Sequence, residues 1–547
     1  MSHWTDHLMI VPLVLPLAAG AILLFLSERR RTLKAAISVA ATCALLAVAI
    51  ALLWMTIARP PAAPPLVGVY RLGNWPAPFG IVLVADRLST LMVALTSVLA
   101  LASLVFSLAR WHRMGSHFHS LFLFLLMGLN GAFLTGDLFN LFVFFELLLA
   151  ASYGLVLHGS GITRVKAALP YIVVNLAASL LFLVGVGLIY GVTGTLNMAD
   201  LAARIPEVAA HDRMLLEAGA AVLGIAFLTK AGIWPLGFWL PGTYSAAAPP
   251  VAAIFSVMTK VGVYIVLRLW LLLFGPDSGP LAHFGRDWLL LGGLATIAFG
   301  AIGVLASQHL GRQASHAVLI STGTVLAAIA VGNISVTGTA LFYLVSSTLS
   351  LGAFFMLIEL AERGRDPGAD VVAVTREAFA EIDEEDMEET AETGATIPAT
   401  MAILEISFLG CALLLSGLPP LSGFIAKFAL LTALLSPSGL GGSAIPPASW
   451  ALLALLILSS LATIVAMTRA GMRVFWAPQD RSVPRVRVIE IVPVGVLLLA
   501  CAILTVQAGP VMHYMQDTAQ SLHEAHDYMR GVLASPQGPG PASGSGS

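Results

Sequence analysis

The sequence predicts an all-α membrane protein of about fourteen transmembrane helices, with two inverted five-helix repeats and with helices 7 and 12 broken. Three observations lead there. Apolar residues make up 58% of the chain and charged residues 11%, against about 25% charged in a soluble domain, and mean hydropathy is +0.90. The apolar residues gather in runs of the roughly 20 residues that a helix needs to cross a bilayer. Two of those runs are interrupted by proline and glycine beside a lysine, at corresponding places in two blocks of five spans. Because each block holds an odd number of spans, the second enters from the opposite face, which makes the repeat inverted.

In chain order the runs lie at about 8–27, 34–57, 84–109, 118–135, 138–158, 167–193, 214–240, 248–272, 287–306, 313–332, 338–360, 398–435, 449–475 and 488–508. The first is expected to be a membrane helix rather than a cleaved signal, because no basic stretch precedes it and its arginines follow it. The seventh holds Pro235 and the twelfth is too long for one straight span. The organisation expected is therefore residues 1–115 with helices 1–3, residues 116–275 as the first repeat (helices 4–8) and residues 276–480 as the second (helices 9–13). Helix 14 and its flank follow at 481–534, and a low-complexity tail at 535–547. Alternate loops hold 17 and 7 lysines and arginines. The richer side is expected to be cytoplasmic, which puts both termini outside.

Residues 361–397 are expected to form a cytoplasmic insertion with nine acids between Glu377 and Glu392. Such a segment reads as a solvated loop, or as one that docks a partner or gathers cations. Cys43, Cys411 and Cys501 fall in apolar runs without metal-ligand spacing and read as small packing residues. No metal, no cofactor and no nucleic-acid partner is expected.

Charge inside the apolar runs carries the functional reading. The chain has five lysines, and Lys230, Lys260 and Lys427 lie within spans. A charge at the bilayer centre costs on the order of 3 kcal/mol or more, so such residues mark ion or proton paths. Lys230 stands in FLTKAGIWPLGFWLPG, where Pro235 deprives the Ala231 carbonyl of its helical partner. A freed carbonyl at membrane depth is tolerated only where protein or water satisfies it. Lys427 stands in LLLSGLPPLSGFIAKFALL, where Pro419, Pro420 and Gly423 break the helix. Ser422 could cap a restart, placing Lys427 near the positive end of a half-helix. Glu146 is mid-span in LFNLFVFFELLLAASYGL. A buried acid and a buried base need each other, so Glu146 and Lys230 form the natural pair. Lys260, about twelve residues into span eight, is placed to relay protons toward the second block. Glu405 and His316 are further relay candidates. Asp86 and Asp137 sit at helix starts, where the dipole favours an acid without any transport role.

The strings TGDLFNLFVFFELLLAASYGL, GVTGTLNMADL, KAGIWPLGFWLP, TKVGVYIVLRL and GLPPLSGFIAKF resemble the D subunit of the Mrp-type multisubunit cation/proton antiporters, also called Mnh or Pha systems. The resemblance covers about residues 8–508. It implies a fourteen-helix inverted-repeat fold in the bacterial plasma membrane, within a hetero-oligomer of other antiporter subunits. It also implies proton translocation coupled to efflux of Na+ or K+. The essential pair carries over to Glu146 and Lys230, and the later lysines to Lys260 and Lys427. The family's span eleven often has histidines and a lysine. Here Ser346 and Ser347 take the histidine places and Leu351 the lysine place. The central relay is then expected to run through hydroxyls and water, or through His316 and Glu405. The antiporter-like membrane subunits of respiratory complex I share these features, so a proton-pumping subunit of a redox enzyme is the alternative. The chain itself has no cysteine ligand set or dinucleotide fingerprint for redox chemistry.

Overall fold

The computed structural model describes residues 7–57, 68–363, 399–435, 445–476 and 486–534. Most of the acidic insertion and the C-terminal tail lie outside those residues. The chain begins with α1 (Val11–Phe25) and α2 (Arg31–Ile57). A two-stranded antiparallel hairpin follows, β1 (Gly68–Arg71) against β2 (Val82–Ala85), with Gly68 opposite Ala85. The hairpin has no counterpart among the apolar runs of the sequence. The segments VYR and VLVA supply the β-branched and aromatic residues that fit a pleated surface, and β2 is wholly buried.

The next helices are α3 (Arg87–Ser107), α4 (Phe118–Leu134), α5 (Leu138–Val156), α6 (Ile162–Thr193) and the short α7 (Met198–Arg204). Then come α8 (Arg213–Ala231), α9 (Trp239–Ala246) and α10 (Pro249–Leu273). The later part is built of α11 (Arg286–Ala306), α12 (Leu310–Val331), α13 (Ile334–Glu362), α14 (Ala399–Ser416), α15 (Ser422–Leu435) and α16 (Pro447–Gly471). It ends with α17 (Val488–Val506), α18 (Ala508–His523) and α19 (Ala525–Leu533). Twelve helices among the described residues are long and apolar enough to cross a bilayer, and three shorter ones are also apolar. The protein is a multi-pass membrane protein.

Short polar residues start several helices by accepting backbone N–H bonds that would otherwise go unmade. Asp86 accepts from Ser89 N at 2.8 Å and Asp137 from Asn140 N at 2.9 Å. Asn197 and Asn333 do the same for α7 and α13. The apolar windows of α10 and α13 are completely buried, while those of α2, α11, α14 and α17 are about one-third buried or less. Large side chains such as Trp54, Ile302 and Ile406 stay exposed on the outer helices, as befits a surface solvated by lipid tails. The bundle therefore has an inside, and α10 and α13 form it.

The seventh apolar run is two helices, α8 and α9. Its interruption falls at Gly232 (φ 79°), three residues before Pro235. Gly232 N–H donates to Thr229 O at 3.1 Å and Ile233 N–H to Leu228 O at 3.0 Å. A left-handed glycine closes the helix end, and Pro235 then prevents continuation. The twelfth run divides in the same way into α14 and α15. Gly417 (φ 75°) follows Ser416, and the N–H groups of Gly417 and Leu418 both donate to Leu413 O at 3.0 Å. Pro419 and Pro420 come next, and α15 restarts at Ser422. The helices α18 and α19 are not evident in the sequence, because their amphipathic pattern is too short and polar to register as a span.

Candidate functional site

Lys230, Lys260 and Lys427 are all buried, at 5%, 0% and 6% exposure, so each ammonium must find its acceptors within the protein. Lys230 lies in the last turn of α8. Its Nζ donates to Ser179 Oγ at 3.1 Å and stands 5.0 Å from the centre of the Phe145 ring. The latter is within cation–π range.

Glu146 does not meet Lys230 directly. The expected pair makes no ion pair within 4.0 Å among the described residues, and Glu146 Oε1 is buried without a hydrogen-bond partner. Lys230 Nζ turns instead to a hydroxyl of α6 and to the ring of Phe145, the residue before Glu146 on α5. α6 packs against both α5 and α8, and its Ser179 takes the lysine's hydrogen bond.

Lys260 lies at the centre of α10. A Cβ on Gly262 would stand 2.7 Å from Ala231 N, so only glycine lets α10 approach so near the end of α8 beside Lys230. Lys260 Nζ donates to Ser321 Oγ at 2.8 Å and Thr322 Oγ1 at 3.3 Å, both on α12. Ser321 Oγ in turn is 2.8 Å from Ser347 Oγ on α13. The neighbouring Ser346 hydroxyl is 2.8 Å from Ser422 Oγ at the start of α15. Beside Ser321, Ser346 and Ser347 lies a cavity of about 20 Å³, room for one water. Ser321, Tyr343, Ser346, Ser347, Ser350 and Thr463 line it together with Leu351.

Lys427 is five residues along α15, yet its ammonium turns back to the end of α14. Nζ donates to Leu415 O at 3.1 Å, Ser416 O at 3.0 Å and Ser460 Oγ of α16 at 2.8 Å. A cation at a helix C-terminus meets the negative end of the dipole and the carbonyls left without partners. The neighbouring half-helix start inferred from sequence thus gives way to a helix end as the lysine's partner. The side chain crosses Gly417, where a Cβ would lie 2.6 Å from Lys427 Cδ.

The structure therefore brings Lys260, Ser346, Ser347 and Lys427 into one polar region. His316 and Glu405 do not join it. His316 Nδ1 donates to Arg312 O at 2.8 Å near the start of α12, with its ring against Phe299. Glu405 is half-buried on α14. Asp86, besides capping α3, forms a bidentate ion pair with Arg268, whose Nη2 is 2.8 Å from Asp86 Oδ1, and Tyr528 of α19 covers the guanidinium. This pair fastens α3 to α10. The site residues that sequence reasoning misses are Ser179, Ser321, Thr322, Tyr343, Ser460 and Thr463, and Ser422 is read there only as a helix cap. The hydroxyl-rich strings LISTGT in α12 and SSTLS in α13 are the available signal for several of them.

A helical membrane protein with ionisable side chains and hydroxyls through its buried centre has the construction of an ion- or proton-translocating subunit. Residues 135–450 match the family described as NADH:quinone oxidoreductase/Mrp antiporter, TM. The chain is 59% identical to the D subunit of a probable K(+)/H(+) antiporter of Rhizobium meliloti, over 98% of this chain and 99% of that protein. It is 32% identical to the D subunit of the Na(+)/H(+) antiporter of Alkalihalophilus pseudofirmus, over 96% of this chain and 99% of that one. Among solved structures, a chain of the Mrp complex from Dietzia sp. aligns with TM-score 0.81 at 24% identity, covering 97% of this chain and 100% of that one. A chain of respiratory complex I from Thermus thermophilus aligns with TM-score 0.73 at 21% identity, covering 96% and 99%. The protein belongs to the NADH:quinone oxidoreductase/Mrp antiporter family.

Proposed function

We propose that this chain is the proton-translocating D subunit of a multisubunit monovalent cation/proton antiporter, exchanging cytoplasmic Na+ or K+ for external protons. The observation that carries the reading is the polar line at the bundle centre, Lys260–Ser321–Ser347, then the cavity, then Ser346–Ser422, with Lys427 beyond. Hydrogen-bonded hydroxyls pass protons by donating on one side while accepting on the other, and one water in the cavity joins the two serine pairs. Lys230 and Glu146, the latter next to the ring on which Lys230 rests, form the first station. Lysines serve as stations because they can release a proton, which arginine does not.

In this reading α8 with α9, and α14 with α15, are broken spans at equivalent places in two inverted five-helix repeats within a fourteen-span fold. Both termini face outward, and other antiporter subunits complete the complex. The 59% identical relative is named for K+ and the 32% identical one for Na+, so the coupled ion is decided by experiment. In acid-loaded everted vesicles from cells expressing the whole complex, whose cytoplasmic face is outside, added K+ or Na+ should enter as protons leave, so that the lumen becomes more alkaline. No cation-dependent proton movement with either ion, in a complex that assembles, would refute the proposal.

The likeness in fold to a complex I chain keeps a second reading in view, a membrane subunit of a redox enzyme. That reading requires flavin and iron–sulfur absorbance in the purified native complex. The antiporter reading requires that there be none.

A further inference from the structure

The turn between α1 and α2, the residues just before α4 and the end of α5 hold a group of histidines that the polar line does not use. Three of them have partners. His112 Nδ1 donates to Ser107 O at 3.1 Å, and its Nε2 accepts from Arg113 Nε at 3.4 Å. His158 Nε2 donates to Trp111 O at 2.8 Å, and His117 Nδ1 lies 3.5 Å from Glu28 Oε1. His119, in the first turn of α4, differs from these. It is 5% exposed, and both its ring nitrogens are buried without a hydrogen-bond partner among the described residues. It lines a cavity of about 10 Å³ with Glu28, Arg31, Lys34, His112 and Ser120, room for one water at most. Glu28 is the acid of this chamber, and it is already bonded to the buried Lys34 Nζ at 2.6 Å.

We propose that His119 is a regulatory proton site, and that a proton taken up there from the cytoplasm slows exchange. The proposal rests on the antiporter reading, which places this arginine-rich end of the bundle in the cytoplasm. A neutral imidazole has one nitrogen free to take a proton, and histidine is the side chain whose ordinary titration lies nearest neutral pH. The charged ring would be a buried cation at the positive end of α4, in a chamber that Lys34 and Arg31 also line. A buried cation needs an acid, and Glu28 is the one acid lining this chamber among the described residues. Glu28 must then leave Lys34 or be shared with it. Lys34 paired to Glu28 is thus one of two arrangements of three groups, and the proton decides between them. The change reaches the first station through close helix packing. A Cβ on Gly20 of α1 would stand 2.9 Å from the Phe124 ring of α4. On Gly128 of α4 it would stand 2.6 Å from Leu148 Cβ of α5, and on Gly131 closer still to Phe144. Phe144 and Leu148 flank Glu146 on α5, and helices packed this tightly move together.

The test uses the assembled complex in everted vesicles, with the pH of the medium on the cytoplasmic face varied at a fixed pH difference across the membrane. His119→Gln keeps a polar side chain that takes no proton, and His119→Asn is the alternative where the Gln variant does not assemble. From about pH 8 to about pH 5.5, one unit below the ordinary histidine value, wild-type exchange should fall at least about twofold further than that of the variant. His117→Gln should keep the wild-type fall. Backbone hydrogen exchange at residues 26–34, corrected for the intrinsic effect of pH, reads the same switch without transport. Protection there should drop in acid in the wild type and hold in the His119 variant. Superimposable pH profiles in a complex that exchanges would overturn the proton site and leave the antiporter reading standing. Loss of the acid response in His117→Gln would overturn the assignment to His119. Absence of exchange at every pH would count against the antiporter reading instead. Hydrogen exchange then decides the site alone, and unchanged protection in acid would overturn it.

Discussion

The two helix interruptions share a backbone and differ in what they do with their lysine. Both end a helix on a left-handed glycine, Gly232 or Gly417, with proline two or three residues later. At the first, Lys230 precedes the glycine and has one hydroxyl and one aromatic face for company, with the acid Glu146 at a distance. At the second, Lys427 follows the glycine and reaches back to two helix-terminal carbonyls and a serine hydroxyl. All three of its N–H bonds have acceptors. One break leaves its ammonium with a single hydroxyl acceptor and an aromatic face. The other gives its ammonium a full set of dipoles and no acid. The same local device can therefore present a mobile charge or a tethered one, depending on which side of the glycine the lysine stands.

The largest effect should come from removing the remote charge. Glu146→Gln is expected to abolish exchange while the protein remains in the membrane, and Glu146→Asp to retain part of it. A fully active Gln variant would mean that Lys230 does not depend on Glu146, and the contrast between the breaks would fail. Next is stability. Lys427→Ala leaves two carbonyls and a hydroxyl without a donor, at about 1–3 kcal/mol for each buried group left unsatisfied. Lys230→Ala strands only Ser179. Thermal melting of the assembled complex should show the Lys427 variant clearly the less stable, and the reverse order would contradict the difference in satisfaction.

The serines between the lysines come third. Replacing Ser346 and Ser347 together with alanine removes two hydrogen bonds of about 1 kcal/mol each, so exchange should slow about tenfold or more. Single changes should cost less, and threonine should preserve much of the rate. Unchanged exchange in the double alanine variant would take the hydroxyls out of the path. The smallest effect separates the glycines themselves. Alanine in a left-handed position costs roughly 1–2 kcal/mol at either site. At Gly232 the new methyl meets the flexible Leu240 side chain at 3.1 Å, but at Gly417 it meets Lys427 Cδ at 2.6 Å. Gly417→Ala should therefore reduce exchange further than Gly232→Ala at similar loss of stability.

Much of this architecture is legible in the sequence because lipid imposes simple rules. A lysine inside an apolar run is costly enough to stand out, which is why Lys230, Lys260 and Lys427 are visible from sequence alone. Asp86 and Asp137 read as helix caps because N-capping is local. What is not legible depends on which helices meet. Pro235 looks like the cause of the first break, yet Gly232 ends the helix before the proline acts, a matter of backbone conformation that spacing does not reveal. The position of Lys427 on α15 points to the start of that helix, but a four-carbon side chain spans a turn of helix and its head settles on α14. Ser179, Ser321 and Ser460 are ordinary residues in membrane helices, and only their lysine partners 51, 61 and 33 positions away distinguish them. Asp86 and Arg268, 182 residues apart, carry no local sign of pairing. The hairpin and the helices α18 and α19 escape because neither has the length or hydropathy of a span.

The most direct test of the central claim, that buried lysines pass protons through this chain, is the replacement of Lys260 and Lys427 by arginine. Proton/cation exchange is then measured in everted vesicles, with the assembled complex quantified alongside. Arginine keeps the charge but holds its proton at any physiological pH. Both variants should assemble and exchange at a small fraction of the wild-type rate, as should the alanine variants where they assemble. Wild-type exchange with arginine at either position would show that lysine to be a fixed charge, and would contradict the relay.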